Sequence, residues 1–576
     1  MGFGENKARG KRLEAKRISL NRSVPQTLIL NPSTKADMKI KTEVLIIGGG
    51  ATGVGISRDL SLRGIPSLLI EKGDFLSGAS GRNHGLFHSG GRYAVSDPEA
   101  ARECISENRI HRKIAPHCIE ATDGLFISLP EDGLDFRDRF LKACEKAEIP
   151  TDPLSRDEAF ALEPELNPDL LGAVKVPDGA IDPFTLVLEN ARDAGRHGAK
   201  FLLHTKISSM ILEEGKAKGV RAKDRIQGEE YVIEASYLVN ATGAWANQFL
   251  KLAGLRIGMA LSKGSLLITN QRLSHRVIHR CRPPSDGDIV VPNETVSILG
   301  TTSIRSEEVE NFEVTPQEVD LLIQETSRMI PKIKETRFIR AYAGIRPLFQ
   351  SEERGEDRAI SRGLILIDHG KRDGVENLIT ITGGKFVTYR LMAEKVSDLL
   401  CQKMGITASC STHLKPLPGA GKYQKLPDRL KKIGNLISPE KVKSPGQVHP
   451  IPMEAHVGRH PDLRGRPSAA GGEIICDCEL IQRDEVERFL KEEKVKDLQD
   501  VLHRTRLAKG TCQGGFCIYR LLGMLHDLEM VEGDSNKVLK GFLEERWRGI
   551  RPILWGTALK EEELLESIYR GIFNLK

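Results

Sequence analysis

The glycines between Gly48 and Gly53 carry the first chemical signal in the sequence, because their spacing is the one that binds a dinucleotide. They follow a short apolar run and precede a helical pattern. Gly48 would allow a tight turn, Gly50 would let the backbone approach a pyrophosphate, and Gly53 would let the helix pack closely on its strand. The free N–H groups at the start of that helix favour the diphosphate charge. Glu71, which follows a second apolar run, is predicted to accept the ribose hydroxyls.

Two later stretches show the same pattern of strand, glycine and helix. They are Ala241-Thr242-Gly243 and Thr382-Gly383-Gly384. A nucleotide-binding domain that is interrupted by a second domain would bring all three junctions to the carboxyl ends of one parallel sheet. The first junction would hold the diphosphate, the second would approach the dinucleotide, and the third would lie near a flavin. A simple NAD enzyme needs no such late return of the chain, so FAD is favoured over NAD.

Four of the ten cysteines form two close pairs, whereas the other six are scattered, as is usual for reduced thiols. The pairs are Cys476-x-Cys478 and Cys512-x4-Cys517, and residues 479–511 separate them. Four thiolates in this pattern could hold a [2Fe–2S] cluster or a tetrahedral Zn²⁺. The spacing departs from the C-x2-C pairs that are usual in structural zinc sites. A [2Fe–2S] cluster is therefore favoured over zinc or an empty site.

The order of the predicted strands and helices indicates an α/β fold, which is α+β overall. A Rossmann-like FAD-binding domain is interrupted by a largely antiparallel β substrate domain, and a small helical module near the C-terminus carries the cysteines. A helix is predicted at 316–330 with Thr315 as its cap, and another at about 386–403. The predicted organisation is a disordered basic tail at 1–39, an oxidoreductase region at 40–405, a linker at 406–470, the cysteine module at 471–525 and a helical tail at 526–576. Within the oxidoreductase region, the FAD-binding parts are predicted at about 40–125, 185–255 and 355–405, and the substrate-domain parts lie between them.

Composition limits the function classes. Hydrophobic residues make up 39% of the chain and charged residues 28%, and the net charge of +6 is too mild to indicate nucleic-acid binding. No apolar run reaches the roughly 18 residues that a membrane-spanning helix needs, and the N-terminus lacks the apolar segment of a signal peptide. We therefore expect a protein that is cytosolic or docked on the cytoplasmic side of a membrane.

Longer stretches carry a family resemblance from about residue 40 to residue 576. They are GRNHGLFHSGGRY (81–93), ECISEN (103–108), GLFISLPED (124–132), VKVPDGAIDPF (174–184), KGSLLI (263–268), GTTSIR (300–305), RAYAGIRPL (340–348), TITGGKFVTYRLMAE (380–394), GTCQGGFC (510–517) and ERWRGIRPILWG (545–556). With these motifs the chain resembles the catalytic subunits of the bacterial anaerobic, quinone-linked glycerol-3-phosphate dehydrogenases, within the D-amino-acid-oxidase-like flavoproteins.

The resemblance implies oxidation of sn-glycerol 3-phosphate to dihydroxyacetone phosphate, with FAD taking a hydride from C2. A phosphate dianion requires fixed cations, and loss of the hydroxyl proton requires a base. His88 is the first choice of base, ahead of His84 and His369. Arg346 and Lys385 are expected to act with His88 in catalysis. The substrate-binding residues are predicted to be Arg92, Tyr93, Arg346, Arg362 and Lys385. The cofactor-binding residues are predicted to be Gly48, Gly50, Gly53, Glu71, Ser80, Gly81, Arg82, Asn83, Ala241, Thr242, Gly243, Gly383, Gly384, Lys385 and Phe386.

The resemblance also extends to the cysteine module, which is similar to the bacterioferritin-associated-ferredoxin-like domains in their C-x4-C form. It implies that electrons leave FAD through a [2Fe–2S] cluster toward partner subunits and menaquinone or a similar quinone. The chain would then be peripheral on the cytoplasmic face of the inner membrane, held there by those subunits. Two alternatives stay open: an FAD-dependent dehydrogenase of a 2-hydroxy acid or a secondary amine, and a non-enzymatic subunit that holds a cluster or zinc during assembly.

Overall fold

The structure is a computed structural model, and it describes residues 38–310, 313–349, 363–420, 473–492, 495, 497–530 and 534–575. The predicted basic tail lies outside the described residues except for its last two positions. Most of the predicted linker and Arg362 also lie outside them.

The strands alternate with helices along the first half of the chain and then become more frequent. They are β1 (Met38–Ile47), β2 (Ser67–Ile70), β3 (Leu86–Phe87), β4 (Ile119–Glu120), β5 (Gly124–Ser128), β6 (Asp152–Leu154), β7 (Gly172–Val176), β8 (Gly179–Ile181), β9 (Lys200–Leu202), β10 (Thr205–Glu213), β11 (Lys216–Asp224), β12 (Glu230–Asn240), β13 (Met259–Thr269), β14 (Val277–Arg280), β15 (Ile289–Asn293), β16 (Val296–Gly300), β17 (Ile304–Ser306), β18 (Phe338–Phe349), β19 (Leu364–Asp368), β20 (Leu378–Gly383), β21 (Ile474–Cys476) and β22 (Ile481–Gln482).

The α-helices cover one sheet and then build most of the C-terminal region. They are α1 (Ala51–Leu62), α2 (Pro98–Ile114), α3 (Asp135–Lys146), α4 (Arg156–Leu162), α5 (Pro183–Arg196), α6 (Ala246–Leu250), α7 (Pro316–Met329), α8 (His369–Asp373), α9 (Tyr389–Met404), α10 (Arg483–Glu492), α11 (Leu498–Thr505), α12 (Cys517–Asp527), α13 (Ser535–Ile550) and α14 (Gly556–Ser567).

The first large sheet has eight strands and a parallel centre. β1 lies between β2 and β12, and β20 pairs with β12, all in parallel. The last four residues of β1 are buried on both faces, because Val44 and Ile46 pack toward α1, α5 and α9 while Leu45 and Ile47 join a second apolar cluster. Burial of both faces is what an apolar, non-alternating strand in a parallel sheet requires. The sheet therefore places the ends of β1, β2, β12 and β20 along one edge.

The second large sheet has nine strands, in the order β17-β13-β16-β15-β14-β5-β7-β6, with β18 also paired to β13. Its pairings are antiparallel apart from β5 with β14. Helix α7 begins with a capping box formed by Thr315 and Glu318, as the sequence predicts. The predicted fold class, a Rossmann-like FAD-binding fold combined with a largely antiparallel sheet and a C-terminal helical region, is confirmed. The predicted domain boundaries stay predictions.

One predicted helix begins later than expected. Residues Phe386–Thr388 form a 3₁₀ turn, and α9 begins only at Tyr389. The cause is local: the Lys385 N–H donates to Thr388 Oγ1 at 3.0 Å, which tightens the first turn.

Candidate active site

The glycine junction after β1 is closely packed. Gly48 has a φ of +115°, and a Cβ there would lie 2.5 Å from the Ala241 carbonyl oxygen. A Cβ at Gly53 would collide with the Gly48 carbonyl oxygen. The start of α1 is capped from a distant loop, because the Ala51 N–H donates to Ser80 Oγ at 3.0 Å. These glycines are therefore required by close backbone approach, as the motif predicts.

The Glu71 carboxylate lies at the end of β2 and faces this junction. It accepts hydrogen bonds from the N–H groups of Gly49 at 2.8 Å and Gly73 at 2.9 Å. Burial raises the pKa of Glu71, and the two backbone hydrogen bonds oppose that shift. The carboxylate is thus held in one orientation beside the glycine loop, with lone pairs left to accept hydroxyl groups.

All three glycine junctions lie at the same edge of the parallel sheet. The Ala241 N–H donates to the Ile47 carbonyl at 2.9 Å. Asn240 and Thr380 are opposite one another in the pairing of β12 with β20. The chain therefore returns to this edge twice, after 240 and after 380.

A cavity of 1560 Å³ opens at this edge. It is larger than the roughly 300–1,000 Å³ of most small-molecule pockets, as an extended dinucleotide requires. Its lining includes Gly48, Glu71, Arg82, Ala241 and Thr242. The volume, the backbone N–H groups and the oriented carboxylate fit FAD.

The loop after Ser80 joins the two large sheets. The Asn83 side chain donates to the Ser80 carbonyl at 2.7 Å and accepts from the Gly85 N–H at 2.8 Å. The Asn83 carbonyl accepts from the Tyr342 hydroxyl on β18 at 2.8 Å. A Cβ at Gly81 would collide with the Leu76 carbonyl oxygen. The loop is therefore fixed against β18, the strand that also carries Arg346.

The predicted cations differ in how they are held. Arg346 donates to the Thr302 carbonyl at 2.6 Å and to Ser262 Oγ at 3.2 Å. Arg92 lies 3.3 Å from Asp288 in an ion pair. Lys385 Nζ lies 5.1 Å from the centre of the Tyr93 ring.

His88 is buried beside these cations. Its ring centre lies 5.4 Å from that of Tyr93, and its Nδ1 has no hydrogen-bond partner among the described residues. Burial lowers the pKa of His88 to about 3; the positive charges of Arg92 and Lys385 act in the same direction, and Asp178 opposes them. The imidazole is therefore neutral at physiological pH and can accept a proton.

The two weaker candidates for a base have other partners. His84 Nδ1 accepts from the Leu86 N–H at 3.1 Å, and burial lowers its pKa well below the usual value. His369 uses both ring nitrogens, with Asp373 at 2.5 Å and Thr380 Oγ1 at 2.8 Å. His369 is thus a structural residue at the end of β19.

The sequence interpretation missed two carboxylates near this cluster, of which Asp178 is buried and Glu103 is partly buried. Asp178 accepts from the Ser89 N–H at 2.5 Å and contacts His279 Nε2 at 2.8 Å. Glu103 lies on α2 with one oxygen 3.9 Å from Lys385 Nζ. Both belong to motifs of the family resemblance, VKVPDGAIDPF and ECISEN, which were the only available signal.

The four paired cysteines lie together in the C-terminal module. Hydrogen bonds from Cys517 and Cys478 lower the pKa of Cys512 to about 5. A hydrogen bond from Cys517 also lowers the pKa of Cys476, whereas burial raises that of Cys478. Backbone N–H groups donate to these sulfurs as well. Hydrogen bonds to Cys476 and Cys512 raise the pKa of Cys517, so the pKa is lowered at two of the four thiols. The closeness of the four sulfurs and the N–H···S bonds suit a bound metal centre.

Comparison with known proteins assigns the family. Residues 43–398 match the family model described as DAO, FAD dependent oxidoreductase. The chain belongs to this FAD-dependent oxidoreductase family. Among the described residues, no helix combines the length and the apolarity needed to cross a membrane.

Within the FAD-dependent oxidoreductases, the chain is similar to subunits of several anaerobic glycerol-3-phosphate dehydrogenases. It is 44% identical over 542 residues to the A subunit of the enzyme from Escherichia coli (strain K12), covering 93% of this chain and 97% of that protein. It is 40% identical over 548 residues to the A1 subunit of the enzyme from Haloferax volcanii, covering 93% of this chain and 91% of that protein. The family resemblance predicted from the motifs is confirmed for the FAD-dependent oxidoreductase and its subunit relatives, and the [2Fe–2S] assignment of the cysteine module stays a prediction.

The fold is also similar to that of a known flavoenzyme structure. The glycerol-3-phosphate dehydrogenase from Bacillus halodurans, complexed with FAD, superimposes with a TM-score of 0.58 at 22% identity, covering 90% of this chain and 96% of that chain. At this level of identity the likeness concerns the fold.

Proposed function

We propose that this protein oxidises sn-glycerol 3-phosphate to dihydroxyacetone phosphate, with bound FAD as the hydride acceptor. The observation that carries the proposal is the 44% identity to the Escherichia coli relative, which is named as part of an anaerobic glycerol-3-phosphate dehydrogenase, over 97% of that relative. The neutral, buried His88 and the cations around it support the same reaction.

FAD would lie along the edge where the three glycine junctions meet. The start of α1 would face the diphosphate and Glu71 the ribose. The remaining contacts would come from Ser80, Gly81, Arg82, Asn83, Ala241, Thr242, Gly243, Gly383, Gly384, Lys385 and Phe386. When bound, FAD supplies an acceptor for the hydride, which carries both electrons of the oxidation.

The phosphate of the substrate would be bound by Arg346, Lys385 and Arg92, with Tyr93 beside them. The Arg346 guanidinium is pre-oriented by the Thr302 carbonyl, which reduces the entropy lost on binding. Lys385 Nζ has no hydrogen-bond partner within the described part of the chain, so its three donors are available. Arg362, the remaining candidate, lies outside the described residues.

The proton of the C2 hydroxyl would pass to His88 as the hydride leaves C2. A general base must be unprotonated at the working pH, and burial keeps His88 neutral there. A base with a pKa of about 3 accepts a proton poorly, so the pKa of His88 would have to rise in the loaded site, in the direction in which Asp178 already acts. Asp178 would stabilise the imidazolium that forms, because its buried carboxylate already raises the pKa of His88.

The cysteine module would hold a [2Fe–2S] cluster through Cys476, Cys478, Cys512 and Cys517. Such a cluster accepts electrons singly. The relatives are named as subunits, and we propose partner subunits that pass electrons to a membrane quinone such as menaquinone. The chain would then be peripheral on the cytoplasmic face of the inner membrane. Iron and zinc analysis of the purified protein distinguishes the cluster from zinc.

An anaerobic titration of the purified protein tests the reaction. Flavin absorbance peaks with a broad iron–sulfur shoulder should bleach on addition of glycerol 3-phosphate. Bleaching by a 2-hydroxy acid or a secondary amine instead would favour the alternative dehydrogenase, and a colourless protein would favour the non-enzymatic role in assembly. Either result would contradict the proposed function.

A further inference from the structure

Helix α2 presents three side chains at successive helical turns to the region between β20 and α9. His111 Nε2 contacts the Val387 carbonyl at 2.9 Å. Glu107 accepts from Arg390 Nε at 2.8 Å in a buried pair. Glu103, one turn closer to the N-terminus of α2, faces Lys385. Residues four apart on a helix share a face, so the two acidic side chains meet the two basic ones as two neighbouring ion pairs.

The two ion pairs differ in whether their charged groups are hydrogen-bonded to each other. Glu107 and Arg390 are in direct hydrogen-bond contact through two nitrogens. Glu103 and Lys385 are 3.9 Å apart, which is beyond hydrogen-bond range. Lys385 Nζ and Glu103 Oε2 are both buried and neither has a hydrogen-bond partner in the described structure. The Lys385 side chain is only 5% exposed.

We propose that Glu103 is a positioning residue that holds the Lys385 ammonium beside the substrate site and competes for it with the substrate's phosphate. The inference rests on the proposed function, because it requires that Lys385 contacts the phosphate. A buried ammonium needs a counter-charge when the site is empty. A fully formed ion pair such as Glu107–Arg390 would provide one but would also occupy the donors. The open Glu103–Lys385 pair provides the charge and leaves the donors available for an incoming dianion.

Sulfate binding to the oxidised, FAD-loaded enzyme tests this role, with the dissociation constant read from the change in flavin absorbance. Sulfate is a dianion whose charge is constant across the working pH range. Glu103→Gln should tighten sulfate binding about threefold to tenfold, because the competing carboxylate is lost. Glu107→Gln is the control on the same helix face: it removes a carboxylate that pairs with Arg390 and not with Lys385, so it should change sulfate affinity much less than Glu103→Gln does. Equal sulfate affinity in Glu103→Gln and the wild type would overturn the inference.

The pH dependence provides a second readout that a purely structural role would not change. Burial raises the pKa of Glu103, and Lys385 opposes that shift. Sulfate affinity of the wild type should therefore increase as the pH falls through this raised pKa, and Glu103→Gln should lack that increase. The other ionisable or aromatic groups near the pair are common to both proteins, so the difference between them isolates Glu103. These groups are His88, Tyr93, Asp97, Glu99, Cys104, Glu107, Arg390 and Lys395. An identical pH dependence in the two proteins would contradict the proposal.

Two further variants separate this inference from the proposed function. Lys385→Met should abolish most sulfate binding; if it does not, the phosphate site of the proposed function is wrong. If Lys385→Met abolishes binding and Glu103→Gln changes nothing, only the role of Glu103 is wrong. Should Glu103→Gln fail to fold, Glu103→Asp retracts the carboxylate from Lys385 and should tighten sulfate binding in the same direction, and no change would again overturn the inference.

Discussion

His88 and His369 are both buried histidines, yet only one of them can act as a base. Both ring nitrogens of His369 are occupied by Asp373 and Thr380, whereas Nδ1 of His88 has no partner among the described residues. Burial keeps His88 neutral. For single residues, hydrogen-bond occupancy therefore agrees with the order in which the sequence ranks these two candidates.

Replacing His88 tests its role as the base. His88→Asn should lower kcat by about 10²- to 10⁴-fold, the usual contribution of general base catalysis, while FAD content is unchanged. Steady-state kinetics with an artificial electron acceptor measure the effect. His369→Asn is the control, and it should lower thermal stability without a comparable loss of kcat. An unchanged kcat in His88→Asn would assign the proton to another group.

Replacing Arg346 tests the phosphate site. Arg346→Ala should raise KM for glycerol 3-phosphate about 10- to 100-fold, since a hydrogen bond to a charged group contributes about 1.5–3 kcal/mol. FAD content, measured by absorbance, should stay intact. Arg272→Ala removes an arginine that pairs with Glu120 and should leave KM unchanged. Unchanged kinetics in Arg346→Ala would remove this residue from the site.

Among the secondary-structure elements, strand ends rather than strand interiors build the cofactor site. The end of β1 contacts the end of β12 so closely that Gly48 has no space for a side chain. The α1 helix is packed against α5 and α9, so its N-terminus cannot move away to make space.

Replacing Gly48 tests this close contact. Gly48→Ala should lower the ratio of bound FAD to protein, because the new Cβ meets the Ala241 carbonyl and the positive φ adds strain of about 1–3 kcal/mol. Absorbance of the purified protein gives that ratio. Gly64→Ala is the control: its φ is +76°, but no atom lies within 4 Å of the added Cβ, so the backbone strain is present without the contact. Full FAD occupancy in Gly48→Ala would show that the junction tolerates displacement.

Across the molecule as a whole, ion pairs attach the cysteine module to segments beside both large sheets. Arg504 on α11 forms a two-nitrogen pair with Asp74 at 2.7 Å. Arg506 pairs with Asp182, and Lys509 pairs with Glu294 at 2.7 Å. Lys509 precedes Gly510, which is so close to Cys478 that an added Cβ would lie 2.2 Å from the Cys478 Cβ. The Lys509–Glu294 pair therefore brings the cysteines beside the β15–β16 turn.

Removing Arg504 should loosen the module. Burial raises the pKa of Asp74, but hydrogen bonds from His503 and Arg504 outweigh burial and lower it. The stability from this pair is therefore fully present above the ordinary aspartate pKa, and it is lost as the pH falls through the lowered value. Arg504→Ala should cost less than the roughly 3–5 kcal/mol of a fully unpaired buried charge, because His503 still contacts the Asp74 carboxylate at 3.0 Å. Faster amide hydrogen exchange in α11 measures the loss.

Arg483→Ala is the control for this experiment. Arg483 forms ion pairs within the module and its side chain is 30% exposed, so its removal should change exchange in α11 little. Equal exchange in Arg504→Ala and Arg483→Ala would show that apolar packing, rather than the ion pair, attaches the module.

Short-range patterns in the chain were sufficient to predict the cofactor junctions, the cysteine pairs and the candidates His88, Arg346 and Lys385, and their roles stay predictions. These features depend on residues that are close together in the sequence. The covalent chain fixes the spacing of such residues before folding, so the sequence alone is enough to find them. The fold class also followed from the sequence, because apolar runs and glycine positions indicate strands and turns directly.

Only the tertiary structure shows which charged residues contact one another. Glu103 meets Lys385, Asp178 meets His279, and Asp74 meets Arg504 across long separations in the chain. Such pairs arise from the packing of helices and strands on one another, and no local pattern encodes the partner. The protonation of His88 depends on the same packing, because desolvation and neighbouring charges set a pKa only once the chain has folded.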